Sequence, residues 1–191
     1  KNPLFLRMLI KVVEYQKGTL PENRGQLLRT FFKWLFSREK KVNSGFDESN
    51  FKIFMYFLAY ETRKNEMVGF TESTLVNIIS EKAESIKTST DTLEILKQAI
   101  DLNLLQITSD KRLSFSHEMY QEYFCAEELL AIYETKKDII EKLQKNSDWE
   151  EPIILFTGIS DQSEELVLSI ANNHPFLATK CVQSYIEKNE E

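Results

Sequence analysis

LLQITSDKRLSFSHEMYQEYFCAEELL, residues 104–130, contains the change of period that decides the architecture. Leu105 and Ile107, then Leu113 and Phe115, alternate with polar residues, the pattern of two strands that bury one face. Residues 109–111 between them are polar and chain-reversing, so strands over 104–108 and 112–115 form a hairpin. Beyond it Tyr120, Tyr123, Phe124, Leu130 and Tyr133 predict a helix from Ser116 through Tyr133. Ser116 is placed to cap that helix, its hydroxyl accepting an otherwise unpaired backbone N–H. His117 then falls in the first turn, where amides converge and the helix dipole is positive. A phosphate or carboxylate is welcome there, and a histidine can donate to it. The same position equally suits a histidine that hydrogen-bonds only its own chain.

Upstream, residues 91–103 predict a helix with the stripe Leu93, Leu96, Ala99 and Ile100. Before that, Asp47 can cap a helix carrying Phe51, Phe54, Met55 and Leu58. Thr71 can cap another, with Phe70 and Leu75 as its hydrophobic staple. Three helices followed by a two-stranded wing is the order of a winged helix domain, placed here at residues 43–135. In a DNA-reading winged helix the third helix and wing carry Arg and Lys. This third helix instead exposes Asp91, Glu94, Lys97, Gln98 and Asp101, and the wing adds only Lys111 and Arg112. The module is therefore expected to contact protein and no nucleic acid.

At the start of the chain Asn2 can cap a helix with Pro3 in its first turn and Leu4, Met8 and Val12 as its stripe, ending at Gly18. Asn23 and Gln26 resemble a capping box for a second helix carrying Leu27, Leu28, Phe31, Phe32 and Leu35. The pair forms a helical hairpin, a domain over residues 1–42, and the polar stretch SREKKVNSG, 37–45, marks its boundary. After TKKD at 135–138, residues 139–143, 149–159, 166–171 and 176–186 read as the start of a second helical, repeat-like domain over 136–191, without a clear period. His174, before Pro175, reads as a turn residue. The expected fold is mainly α with one small two-stranded hairpin.

Thirty acidic against 24 basic residues give a net charge of −6, which offers no field for nucleic acid or an anionic membrane. No run is long and apolar enough for a membrane span. Cys125 and Cys181 lack metal-type spacing and read as buried thiols of a reducing compartment, the cytoplasm. None of the five glycines belongs to a phosphate-cradling loop. Glu127–Glu128 and Glu150–Glu151 are adjacent and diverge on a helix, which makes each a poor acid/base pair. The chain by itself is not expected to be an enzyme, with no catalytic residues, no metal and no cofactor of its own. Because Asn2-Pro3 opens a helix at once, it reads as part of a longer polypeptide.

Three segments carry a family resemblance. Residues 2–36, NPLFLRMLIKVVEYQKGTLPENRGQLLRTFFKWLF, resemble the helical domain that follows the ATPase core of NACHT-type STAND signalling P-loop NTPases. Residues 113–127, LSFSHEMYQEYFCAE, are similar to the family's F-x-H-x-x-(F/Y)-Q-E-(Y/F)-F-A-A signature, with Cys125 at an alanine position. Residues 148–158, DWEEPIILFTG, resemble the W-x-E-x-x-x-x-x-x-G segment that opens its next helical domain. The resemblance implies a regulatory interdomain module that helps close over ADP and releases on exchange to ATP, allowing homo-oligomerisation and signalling in immune or antiviral defence. It implies ADP or ATP with Mg in the parent protein, and the parent's own P-loop core as partner. Pro3 matches a proline that packs on adenine, and His117 a histidine that reaches the β-phosphate. Gln121 and Glu122, the most regular part of the signature, are expected to serve packing. The alternatives are a free-standing winged helix regulator that binds nucleic acid and a helical protein-interaction scaffold.

Overall fold

The computed structural model describes residues 3–71, 73–75, 78 and 92–186. It is mainly helical with one small two-stranded antiparallel sheet. The chain divides into two compact units, one made of Lys1–Phe46 with Leu129–Glu191, the other of Asp47–Glu128.

In the contiguous unit, α3 (Glu48–Lys64) starts where expected, because Asp47 Oδ1 accepts the N–H groups of Ser49 and Asn50 at 3.1 Å. Phe51, Phe54, Met55 and Leu58 are all buried. Thr71 Oγ1 accepts the Thr74 N–H at 3.2 Å, the second expected cap, and Phe70 and Leu75 are both buried, while most of the helix expected after them lies outside the described residues. Helix α4 spans Thr92–Asp101, and the cap position Asp91 lies outside the described residues. Strands β1 (Leu105–Ile107) and β2 (Leu113–Phe115) pair in the register Leu105–Phe115, Gln106–Ser114, Ile107–Leu113. Phe70 extends this sheet by exchanging both backbone hydrogen bonds with Leu113, at 2.9 and 2.8 Å. The hairpin turn holds Lys111 at φ 61°, a left-handed conformation more often given to glycine or asparagine.

Helix α4 departs from its predicted stripe. Its buried residues are Ile95, Leu96, Gln98 and Ala99, whereas Leu93 is 55% exposed. Apolar residues lie on two sides of this short helix, and the core takes the Ile95–Ala99 side. Gln98, expected on the surface, is buried and donates to Glu94 at 3.3 Å.

In the discontinuous unit, α1 (Pro3–Tyr15) buries Met8 and Val12 and ends with Lys17 and Gly18 at φ 57° and 103°, the Gly18 N–H reaching the Val13 carbonyl at 2.9 Å. Helix α2 (Arg24–Val42) runs through much of the predicted boundary stretch and buries Leu27, Leu28, Phe32, Leu35 and Phe36. Helix α5 (Glu118–Thr135) starts in the other unit and contributes Leu129 and Tyr133 to this one. Then follow α6 (Ile139–Leu143), a 3-10 turn (Ser147–Trp149), α7 (Glu150–Ile159), α8 (Ser163–Asn173) and α9 (Pro175–Ile186). Helix α7 is the centre of this core and packs against α2, α8 and α9.

The junction of α2 and α7 is polar where the helix ends meet. Asn23 Oδ1 caps α2 by accepting the Gln26 N–H at 2.9 Å, while its Nδ2 donates to the Gly158 carbonyl at 3.0 Å. Gln26 also donates to that carbonyl at 3.3 Å rather than back to Asn23, so the capping box is only half formed. Arg29 donates to the Ile159 carbonyl at 2.9 Å. The start of α2 thereby supplies donors to the last carbonyls of α7, which have no partner within their own helix.

Candidate functional site

His117 occupies the position immediately before α5, between β2 and the helix. Its Nδ1 accepts the Met119 N–H at 3.2 Å and its carbonyl accepts the Tyr120 N–H at 3.0 Å. The histidine is therefore the cap, and the expectation that Ser116 caps is corrected. The Ser116 N–H donates to the Leu104 carbonyl at 2.9 Å, which continues the hairpin ladder and fixes this residue in it. Its hydroxyl is left buried with no partner among the described residues. The helix begins two residues later than the sequence suggested, at Glu118.

This geometry alters the chemistry available at the helix start. Two of the amides that an anion might have met, those of Met119 and Tyr120, already bond to His117. An imidazole whose Nδ1 accepts carries its proton on Nε2 when neutral. His117 is half-buried, and its ring centroid lies 5.9 Å from that of buried Tyr120, whose hydroxyl is pushed up by burial. What the site offers a ligand is the Nε2–H donor on an imidazole oriented by its own helix.

Pro3 is exposed in the first turn of α1, and its expected cap Asn2 lies outside the described residues. Pro3 and His117 belong to different compact units.

The rest of the signature stretch packs α5 on α3. Gln121 Nε2 donates to Thr62 Oγ1 at 3.0 Å, and Arg63 at the end of α3 reaches Gln121 Oε1 at 3.4 Å and lies 3.9 Å from Glu118. Glu122 is buried. Cys125 is fully buried, and burial pushes its thiol up to about 12 despite the opposing Arg63 guanidinium. Burial likewise pushes the Cys181 thiol up to about 11. Neither is a nucleophile at neutral pH.

The acidic pair of α7 has structural partners: Glu151 pairs with Arg24 at 2.7 Å and Glu150 with Lys180. His174, read as a turn residue, caps α9 as His117 caps α5, its Nδ1 accepting the Leu177 N–H at 3.1 Å. Among the described residues no group of three or more His, Cys, Asp or Glu side chains converges as a metal site would require, and no helix is long and apolar enough to cross a membrane. The local patterns gave no sign of the Asn23–Gly158 contact. Its signal was a glycine at each side of the junction, Gly25 and Gly158, where an added Cβ would come within 2.9 Å of a neighbour. Compared with known proteins, the chain matches no family model, no curated protein and no solved structure.

Proposed function

We propose that the chain is the regulatory portion of a NACHT-type STAND signalling ATPase, a helical domain and winged helix that close over ADP held by a P-loop core and release when ATP replaces it. The observation that best supports this reading is His117 at the start of α5, with Nδ1 engaged by its own helix and Nε2 left as an oriented donor. In this reading Nε2–H donates to the nucleotide β-phosphate, Pro3 packs on adenine, and the parent's P-loop core supplies the phosphate loop and the Mg ion. Hydrolysis belongs to that core. The contact favours only the closed form, so it shifts the closed–open equilibrium by its own free energy.

The test uses the protein that carries the core and compares His117→Leu with His117→Ser. Leucine removes both the cap and the donor, whereas serine keeps a capping oxygen but is too short to reach a phosphate. Losing one charge-assisted hydrogen bond of roughly 1.5–3 kcal/mol speeds ADP release by about ten- to a hundredfold in both variants and raises the oligomer fraction. Unchanged ADP release in the serine variant, with an effect only for leucine, would reduce His117 to a helix cap and overturn the reading.

A further inference from the structure

An open cavity of about 620 Å³ lies between the apolar face of the hairpin and α4. Phe70, Leu96 and Leu113 are buried at its base. Leu93 and Ile107, 55% and 64% exposed, rise at its sides. Ile107 and Leu113 are directly paired across β1 and β2, so both project from one face of the wing. Leu93, Leu96 and Lys97 share one side of α4 by their three- and four-residue spacing. Apolar groups from both elements thus converge on a volume suited to one small ligand.

Among the described residues, the charge lining this cavity has one sign. Among the described residues its ionisable lining side chains are Lys97 and Lys111, with no carboxylate beside them. Among the described residues neither ammonium has an ion-pair partner, while the adjacent Arg112 is held by Asp110 at 3.1 Å. In a chain of net charge −6, two lysines with no ion-pair partner among the described residues, over exposed leucine and isoleucine, form a local exception. Lys111 also keeps its place at a left-handed turn position where glycine would be less strained.

We infer that this cavity binds an amphiphilic anion, an alkyl chain ending in a carboxylate. The chain lies over Leu96 and Leu113 between Leu93 and Ile107, and the carboxylate meets Lys97 and Lys111. Apolar burial supplies affinity, and the two ammonium groups choose an anionic head over a neutral or cationic one. This site is independent of His117 and of the proposed nucleotide response.

The experiment titrates the 191-residue chain with decanoate, decanol and decyltrimethylammonium, following methyl resonances by NMR. Decanoate is expected to saturate and to move the resonances of Leu93, Leu96, Ile107 and Leu113, with decanol weaker and the cation weakest. Lys97→Met together with Lys111→Met keeps the alkyl stems and removes both charges. This double variant should weaken decanoate about tenfold and leave decanol unchanged. Ile107→Glu, which places a carboxylate at an exposed position on the cavity wall, should abolish decanoate binding. Equal affinity for decanoate and decanol, wild-type affinity in the double lysine variant, shifts centred on other residues, or no saturation by decanoate would each overturn the inference.

Discussion

Replacing Gly158 with alanine tests the junction between α2 and α7. A Cβ at this position would stand 2.9 Å from Asn23 Oδ1 and 3.3 Å from its Cγ, closer than such atoms tolerate. Asn23 is short, buried and held by two hydrogen bonds, to the Gln26 N–H and the Gly158 carbonyl, so it cannot yield without losing at least one. Loss of the cap costs about 0.5–2 kcal/mol, and a broken buried hydrogen bond about 1–3 kcal/mol. Alanine in a helix returns roughly 0.5–1 kcal/mol relative to glycine. The balance is a net destabilisation of about 2 kcal/mol. Both tryptophans, Trp34 and Trp149, belong to the same compact unit as the junction, so urea unfolding followed by tryptophan fluorescence reports on that unit. Asn23→Ser keeps a capping oxygen and makes room for the methyl group, so Gly158→Ala should cost much less in that background. If Gly158→Ala stabilises the wild type, or costs the same beside serine as beside asparagine, the steric reasoning is wrong.

Two further predictions concern buried groups. The thiols of Cys125 and Cys181 should resist a thiol reagent at pH 8 in the native chain and react on unfolding. Folded, they keep their protons to about 12 and 11, whereas unfolded thiols ionise near 9. Above pH 9 the unfolded state therefore binds fewer protons and stability falls as pH rises, by about 1 kcal/mol or more per thiol at pH 10, with no contribution at pH 7. Buried Tyr60 and Tyr120, also pushed up by burial, act in the same direction. A urea midpoint constant from pH 7 to pH 10.5 would contradict this account. Separately, Gln144 is 4% exposed and its Oε1 is buried with no partner among the described residues. Gln144→Leu should raise the urea stability of its unit by about 1 kcal/mol, and a loss of that size would mean the carboxamide has an essential contact.

Period and cap chemistry made the elements legible, and their limits explain what was misplaced. The hairpin was readable because Leu105, Ile107, Leu113 and Phe115 alternate, and α3 because Asp47 and four spaced apolar residues agree. The start of α5 was read two residues early because Ser116 has cap chemistry, while its backbone N–H was already held by Leu104 in the hairpin ladder. A local reading has no access to that prior claim on the residue. The same holds for α4, whose two apolar sides were distinguished only by packing. His117 was singled out for its place at a helix start, whereas its part in capping depends on the ring reaching the Met119 amide. The positions singled out in residues 148–158 have physical occupations in this chain: Trp149 is buried, Glu151 pairs with Arg24 and Gly158 admits Asn23.

The Asn23–Gly158 bond joins residues 135 positions apart. On a ribosome this fixes an order of events. Helices α1 and α2 emerge before α7, yet the carbonyls that Asn23, Gln26 and Arg29 engage do not exist until residues 158 and 159 have been made. Meanwhile Asp47–Glu128 is one uninterrupted stretch and has all its internal contacts available much sooner. Residues 47–128 are thus free to fold before α2 has its full packing, while the apolar face of α2, with Leu27, Leu28, Phe32 and Phe36, waits for partners still to be synthesised. That interval is when the nascent chain is most exposed to aggregation. A chaperone that shields an amphipathic helix such as α2 would act there, and not on the finished protein.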